Sequence, residues 1–209
     1  KKSKMIMEAY DMPQVKAVLN IAYQIADNGT LTVNQNLKTE AGADVPEMLR
    51  FGMVMNLPYQ MDKSQWFGRG PVENYCDRKY SQNVGIYSST ADEMFFPYVR
   101  PQETGTMGDI RWWNQSDNNG AGLRVEADKL FSASALHYNI SDLDEGEEKD
   151  QRHSPSVPKS KFTNLCIDLK QAGVGGVDSW GESGRARKGY RVEYQDYDFT
   201  FSISPKSLY

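Results

Sequence analysis

The chain has 209 residues, with 24 Lys and Arg against 28 Asp and Glu, a formal net charge of −4 and 11% aromatic residues. That balance gives no electrostatic grip on nucleic acid or on an anionic membrane, and no apolar run reaches the length of a spanning helix. Cys76, Cys166, His137 and His153 are the whole supply of thiols and imidazoles. They are too few and too scattered for a zinc pattern or a disulfide framework, so free thiols and no metal site are expected. The length suits a single β-sandwich domain over residues 1–209, with residues 1–13 as a linker or lead-in. Lys1-Lys2-Ser3-Lys4 lacks the apolar stretch of a signal peptide, and a start on Lys reads as a piece of a longer chain or a mature product, the cytoplasm being favoured over the periplasm.

From Val15 the apolar residues Val15, Ala17, Leu19, Ile21, Tyr23 and Ile25 fall on one parity, which predicts a half-buried strand. Asp27-Asn28-Gly29 turns the chain into a second strand through Leu31, Val33 and Leu37, completing a hairpin. Leu49, Phe51, Met53, Met55 and Leu57 repeat the pattern. Trp66 to Arg78 keeps no period and reads as an ordered long loop held by side-chain hydrogen bonds. Tyr98 to Gly105 is a second aperiodic stretch. After the turn at Ser116 to Gly120, Leu123, Val125 and Ala127 predict a strand that continues as Phe131-Ser132-Ala133-Ser134-Ala135. Residues 141–150 are acidic and form the one modest helix candidate or a solvated face. Leu165, Ile167 and Leu169 give another strand. Tyr190, Val192 and Tyr194 then lie on one parity and Tyr197, Phe199, Phe201 and Ile203 on the other, so a final strand should bulge near Gln195-Asp196. Many short strands with one apolar face each imply sheet packed on sheet, an all-β antiparallel sandwich.

Three stretches carry candidate chemistry. In the first, Glu73, Asp77 and Arg78 suit either an acid, a base and a substrate clamp or a structural network. Glu103, in the second, could join Glu73 as a glycosidase pair, which would need the carboxyl groups about 5 to 10 Å apart. The third, residues 173–181, is glycine-rich and ends in Asp178-Ser179-Trp180-Gly181. Rigid β scaffolds place ligand contacts on such loops, and glycines let the backbone approach closely. Trp180 is either packed over the core or displayed as a platform for the apolar face of a sugar, and spacing alone leaves both open.

Taken together, Trp66-Phe67-Gly68-x-Gly70-Pro71-x-Glu73-Asn74-Tyr75-x-Asp77-Arg78, Tyr98-Val99-x-Pro101-x-Glu103-x-Gly105, Phe131-Ser132-Ala133-Ser134 and Gly175-Gly176-x-Asp178-Ser179-Trp180 appear in an order that resembles the C-terminal, small-chain-like fifth domain of bacterial β-galactosidases of glycoside hydrolase family two. The resemblance implies a large super-sandwich like that of the galactose mutarotases, packed on a catalytic (β/α)8 barrel of the same chain or of a large subunit. Both catalytic glutamates would then lie on the barrel, with no catalytic residue in these 209 residues, and the fragment alone would be inactive. Trp180, with Asp178 and Ser179, is implied to contact a β-galactoside such as lactose on its aglycone side. Trp66, Gly68, Gly70, Pro71, Glu73, Asn74, Tyr75, Asp77, Arg78 and Glu103 are implied to be structural. No cofactor is expected in this domain, Mg2+ and Na+ being the parent enzyme's, and a homo-oligomer is implied. Two departures stand out: Val177 replaces a polar residue of many relatives, and Gln151-Arg152-His153-Ser154 follows the family's basic pattern only loosely. The competing readings are a free-standing aldose 1-epimerase, using His137 or His153 with Glu103, and a non-catalytic carbohydrate-binding module.

Overall fold

The computed structural model describes residues 4–143, 153–178 and 181–206. Among these residues the strands are β1 (Lys4–Met12), β2 (Ala17–Ile25), β3 (Leu31–Thr39), β4 (Arg50–Pro58), β5 (Lys63–Gly70), β6 (Asn83–Thr90), β7 (Met107–Ser116), β8 (Gly122–Leu136), β9 (Phe162–Gln171) and β10 (Tyr197–Lys206). Two single turns of α-helix, α1 (Ala91–Met94) and α2 (Ile140–Leu143), and four short 3₁₀ turns complete the regular structure among the described residues. Thr90 and Glu93 cap α1 reciprocally, each side chain accepting from the other's backbone N–H at 3.2 and 2.9 Å.

Every strand pairing is antiparallel, and the sheet forks at β8. The first half of β8 pairs with β10, which continues through β3 and β2 to β1. Its second half, from Ser132 to Leu136, pairs with β9, which leads to β4. Opposite β7 the register shifts between Trp112↔Glu126 and Ile110↔Phe131, a bulge that bends β8 from one branch into the other. The branches close face to face. Phe51 of β4 stacks on Tyr197 of β10 with ring centroids 5.2 Å apart, and Gln35 of β3 donates to the Gly52 carbonyl at 3.2 Å. Val33, Val125, Ile167, Phe199 and Phe201 fill the space between, giving the all-β antiparallel sandwich expected from the strand pattern.

The hairpin predicted around Asn28 forms as β2 and β3, and its odd positions Ala17, Ile21, Val33 and Leu37 are buried. Other expectations need correction. Residues 4–12, read as a linker or lead-in, form β1 along β2. Ile6 and Tyr10 lie opposite Tyr23 and Leu19 on the packed face, yet remain 43% and 46% exposed because the two-strand branch stops at β4. Trp66 to Gly70, read as loop, belongs to β5, where Ser64, Trp66, Gly68 and Gly70 point inward. Glycine at two of those four sites erased the apolar alternation. A Cβ on Gly68 would lie 2.5 Å from Ile110 Cδ1, so the packing excludes a larger residue. β6 escaped sequence reading altogether, since its burial alternates only weakly. Tyr190 to Tyr194 is not a strand but a 3₁₀ turn followed by a single bridge, Met48↔Val192. In the acidic stretch 141–150, residues 141–143 belong to α2 and the remainder lies outside the described residues.

Two ties fix the irregular stretch after β5 to β7. Asn74 is fully buried. Its Oδ1 accepts from the Gly108 N–H at 3.0 Å and its Nδ2 donates to the Val72 carbonyl at 3.1 Å. Asp109, at φ 52°, accepts from Arg69 Nε at 2.6 Å and Lys79 Nζ at 2.8 Å. Partial burial alone would raise the Asp109 pKa, but the bonds from Lys79 and Arg69 prevail and hold it below the usual carboxylate range. Asn74→Ala should cost about 2 kcal/mol in urea unfolding, because a buried N–H loses its acceptor. For Asp109 the folded pKa is the lower one, so its stabilisation is present at neutral pH and lost as pH falls through that value. Asp109→Asn is therefore expected to unfold more easily than wild type at pH 7, with the gap narrowing below about pH 4; urea midpoints at pH 7 and pH 3 check this.

Candidate functional site

Glu73 is the hub of the loop between β5 and β6. Its side chain is 8% exposed, and a carboxylate so far from water needs partners for both oxygens. Arg78 and the Tyr98 hydroxyl both donate to Oε1, while Thr104 Oγ1 and the Gly105 N–H donate to Oε2 at 3.1 and 2.6 Å. Arg78 also reaches the Tyr98 hydroxyl at 2.9 Å and lies over the Tyr75 ring. The two aperiodic stretches are thereby locked together. Tyr75 is 2% exposed, and burial, followed by the charges of Glu103 and Glu73, pushes its hydroxyl pKa well up. Trp66 is fully buried, donates to the Arg69 carbonyl at 2.9 Å and stacks on Trp113 with centroids 5.3 Å apart. Gly70-Pro71 is a cis peptide at the end of β5.

Asp77 carries this order into the glycine-rich loop. Its Oδ2 accepts from the Gly175 N–H at 2.8 Å, and a Cβ on Gly173 would sit 2.4 Å from the same oxygen, so only glycine admits the approach. The Ala172 N–H donates to the Leu49 carbonyl and the Gly173 N–H to the Tyr190 carbonyl, both at 2.8 Å. Further along, the Val177 N–H donates to the Ser183 carbonyl at 2.7 Å, and Ser183 Oγ donates to Asp178 Oδ2 at 2.8 Å. Asp178 thus ties the loop to the 3₁₀ turn Gly181–Gly184. Ser179 and Trp180 lie outside the described residues. The order of their neighbours shows that the stretch leading to Trp180 is built on fixed backbone bonds.

Glu103 is used elsewhere. Oε1 accepts from Thr106 Oγ1 at 3.1 Å and Oε2 from Arg50 Nη1 at 3.4 Å. Arg50 is chiefly bound to Asp168 on β9, through Nε at 3.2 Å and Nη2 at 2.7 Å. Burial pushes the Asp168 carboxyl up to about 6 against the pull of Arg50. Sequence reading missed this pair, because nothing local connects residues 118 positions apart. Among the described residues, neither histidine is hydrogen-bonded to a carboxylate as the epimerase reading requires. His137 is 2% exposed and stacked on Tyr59 at 3.7 Å, and His153 Nδ1 faces the Val99 carbonyl at 3.1 Å. Among the described residues, no group of three or more His, Cys, Asp and Glu is arranged to hold a metal ion.

Residues 1–203 match the family described as β-galactosidase small chain. A β-galactosidase of Priestia megaterium is 29% identical over 186 residues, covering 88% of this chain and 17% of that protein. The β-galactosidase BgaC of Bifidobacterium adolescentis is 33% identical over 172 residues, 81% of this chain and 16% of its own length. One from Vibrio cholerae is 30% identical over 185 residues, 88% of this chain and 17% of its own. The chain therefore spans about a sixth of the length of these relatives. Among solved structures, a GalM/aldose epimerase homologue from C. elegans overlaps all of this chain and 70% of its own at 8% identity and a TM-score of 0.45, too slight a likeness to bear on fold or function. The match across nearly the whole chain, a range that includes all four motifs, makes it a member of the β-galactosidase small-chain family.

Proposed function

We propose that the chain is the C-terminal sandwich of a retaining β-galactosidase and forms the aglycone-side wall of an active site whose catalytic groups belong to a (β/α)8 barrel, on the same polypeptide or on a large subunit. One observation carries this reading: Asp77 and Ser183 pin the glycine-rich loop at Gly175 and at Asp178, the latter two residues before Trp180. Loop residues held by such bonds have little ordering entropy left to lose when a ligand arrives. The role fits binding and not proton transfer. Both oxygens of Glu73 and both of Glu103 accept from donors inside the chain, which suits those two carboxylates to holding loops and not to acting as a glycosidase pair.

In the proposed enzyme a barrel glutamic acid protonates the glycosidic oxygen and a glutamate attacks the anomeric carbon, giving a galactosyl-enzyme that water resolves. Trp180 packs its indole against the C–H face of the leaving sugar, a gain on the order of 1 to 2 kcal/mol by area. Docking to a larger body is supported by Val99 and Val177, which are 81% and 74% exposed on the loops around this site. Mg2+ and Na+ belong to the barrel side in this reading, and a homo-oligomeric assembly completes it.

Two outcomes are expected. Trp180→Ala in the full enzyme should weaken inhibition by glucose-like acceptors about tenfold while galactose-site inhibitors change less than about twofold; equal losses would sink the platform role. The isolated chain should neither hydrolyse a nitrophenyl β-galactoside nor speed the mutarotation of α-galactose in a polarimeter. Acceleration over buffer would favour the epimerase reading.

A further inference from the structure

A cavity of about 330 Å³ opens at the root of the loop, where the end of β9 meets the start of β4 and α2. Its walls divide into two chemistries. Leu49, Ile140 and Val174 supply apolar surface, and Leu49 and Ile140 are 76% and 38% exposed. Arg50, Glu103 and Gln171 supply polar groups. The Arg50 fork spends Nε and Nη2 on Asp168 and makes only a long 3.4 Å contact to Glu103 through Nη1. A guanidinium has five N–H groups, so donors remain. Gln171 lines the cavity too; its Oε1 is enclosed within the chain and has no hydrogen-bond partner among the described residues, so a turn of the amide toward the cavity would give that acceptor a donor.

We propose that this cavity is a second carbohydrate subsite, taking a neutral pyranose through two adjacent hydroxyls, and that it is distinct from the Trp180 platform. A sugar hydroxyl both donates and accepts, so it can take the spare guanidinium N–H groups of Arg50 and donate to a remaining lone pair of the Glu103 carboxylate, whose two oxygens each hold one donor already. Leu49 and Val174 cover the C–H face. The volume lies at the lower end of small-molecule sites and fits one sugar ring. Anionic ligands are disfavoured, since the carboxylates of Glu103 and Asp168 together outweigh the one charge of Arg50. The choice of a sugar as ligand rests on the β-galactoside reading above; the cavity and its polar pattern do not.

Titration calorimetry of the 209-residue chain with methyl β-galactoside, lactose and sodium galacturonate tests the proposal. The neutral sugars should bind saturably with Kd near millimolar, and galacturonate at least about tenfold more weakly. Val174→Trp, which fills the cavity, should abolish binding, and Gln171→Leu should weaken it about three- to tenfold. Both variants should keep the wild-type circular dichroism spectrum and unfolding midpoint, and Trp180→Ala should bind as wild type. Four outcomes would overturn the proposal: no saturable binding at about 100 mM sugar, the weak limit for a specific site; equal binding of galacturonate; binding unchanged in both cavity variants; or binding lost in Trp180→Ala. Because the platform role is measured by inhibition of the full enzyme, either idea can fail alone.

Discussion

β8 passes from one layer of the sandwich to the other, and both branches hydrogen-bond to it, β10 against Gly122 to Ala127 and β9 against Ser132 to Leu136. The change of layer depends on the bulge opposite β7, which turns the strand without breaking its pairing. Small residues follow it. Ala133, Ser134 and Ala135 are almost fully buried, and their size lets the facing layers approach where a larger side chain would hold them apart. Once β8 is placed, the end of β9 and the loop after β5 are brought together, because β9 and β7 flank its second half. The glycine-rich loop and the Glu73 network therefore meet as a consequence of one bent strand.

Electrostatics then selects what that meeting can do. Glu73 sits among four donors, and a desolvated carboxylate so well supplied is an anchor. The same saturation removes it from acid–base chemistry, which needs an oxygen free to face substrate. Glu103 is spent on Thr106 and Arg50, and Asp168 on Arg50 from within the sandwich. Ionisable groups are plentiful here, yet each described carboxylate of the motifs accepts from a donor of the chain itself.

Legibility in the sequence followed exposure. The β2–β3 hairpin could be read because one of its faces meets the core and the other meets water. β1 could not, since all but its last residue are exposed and a strand open on both faces prints no period. β5 hid for a different reason, its inward alternation being carried by Ser64, Gly68 and Gly70 around a single Trp66. Tyr190, Val192 and Tyr194 printed a strand period without being one, because a 3₁₀ turn at Lys188–Tyr190 and one bridge consume the segment. At the site, an ordered loop around Glu73 could be foreseen from its composition of glycine, proline and charge. Its partners could not, because Tyr98 and Thr104 lie 25 and 31 residues away and only the folded chain brings them near.

The glycine-rich loop gains its meaning from how its backbone is spent. A run of free N–H groups would make an anion cradle. Here the N–H groups of Gly173, Gly175 and Val177 donate to Tyr190, Asp77 and Ser183, so these three are spent inside the chain. What it offers is position. Asp77 reaches it from the loop that Glu73 locks, so rigidity is passed from a buried carboxylate through two side chains to the residues before Trp180. The charge in these motifs is spent on position: each of their described carboxylates accepts from a donor of the chain itself, and the loop that results is held in place before it meets anything else.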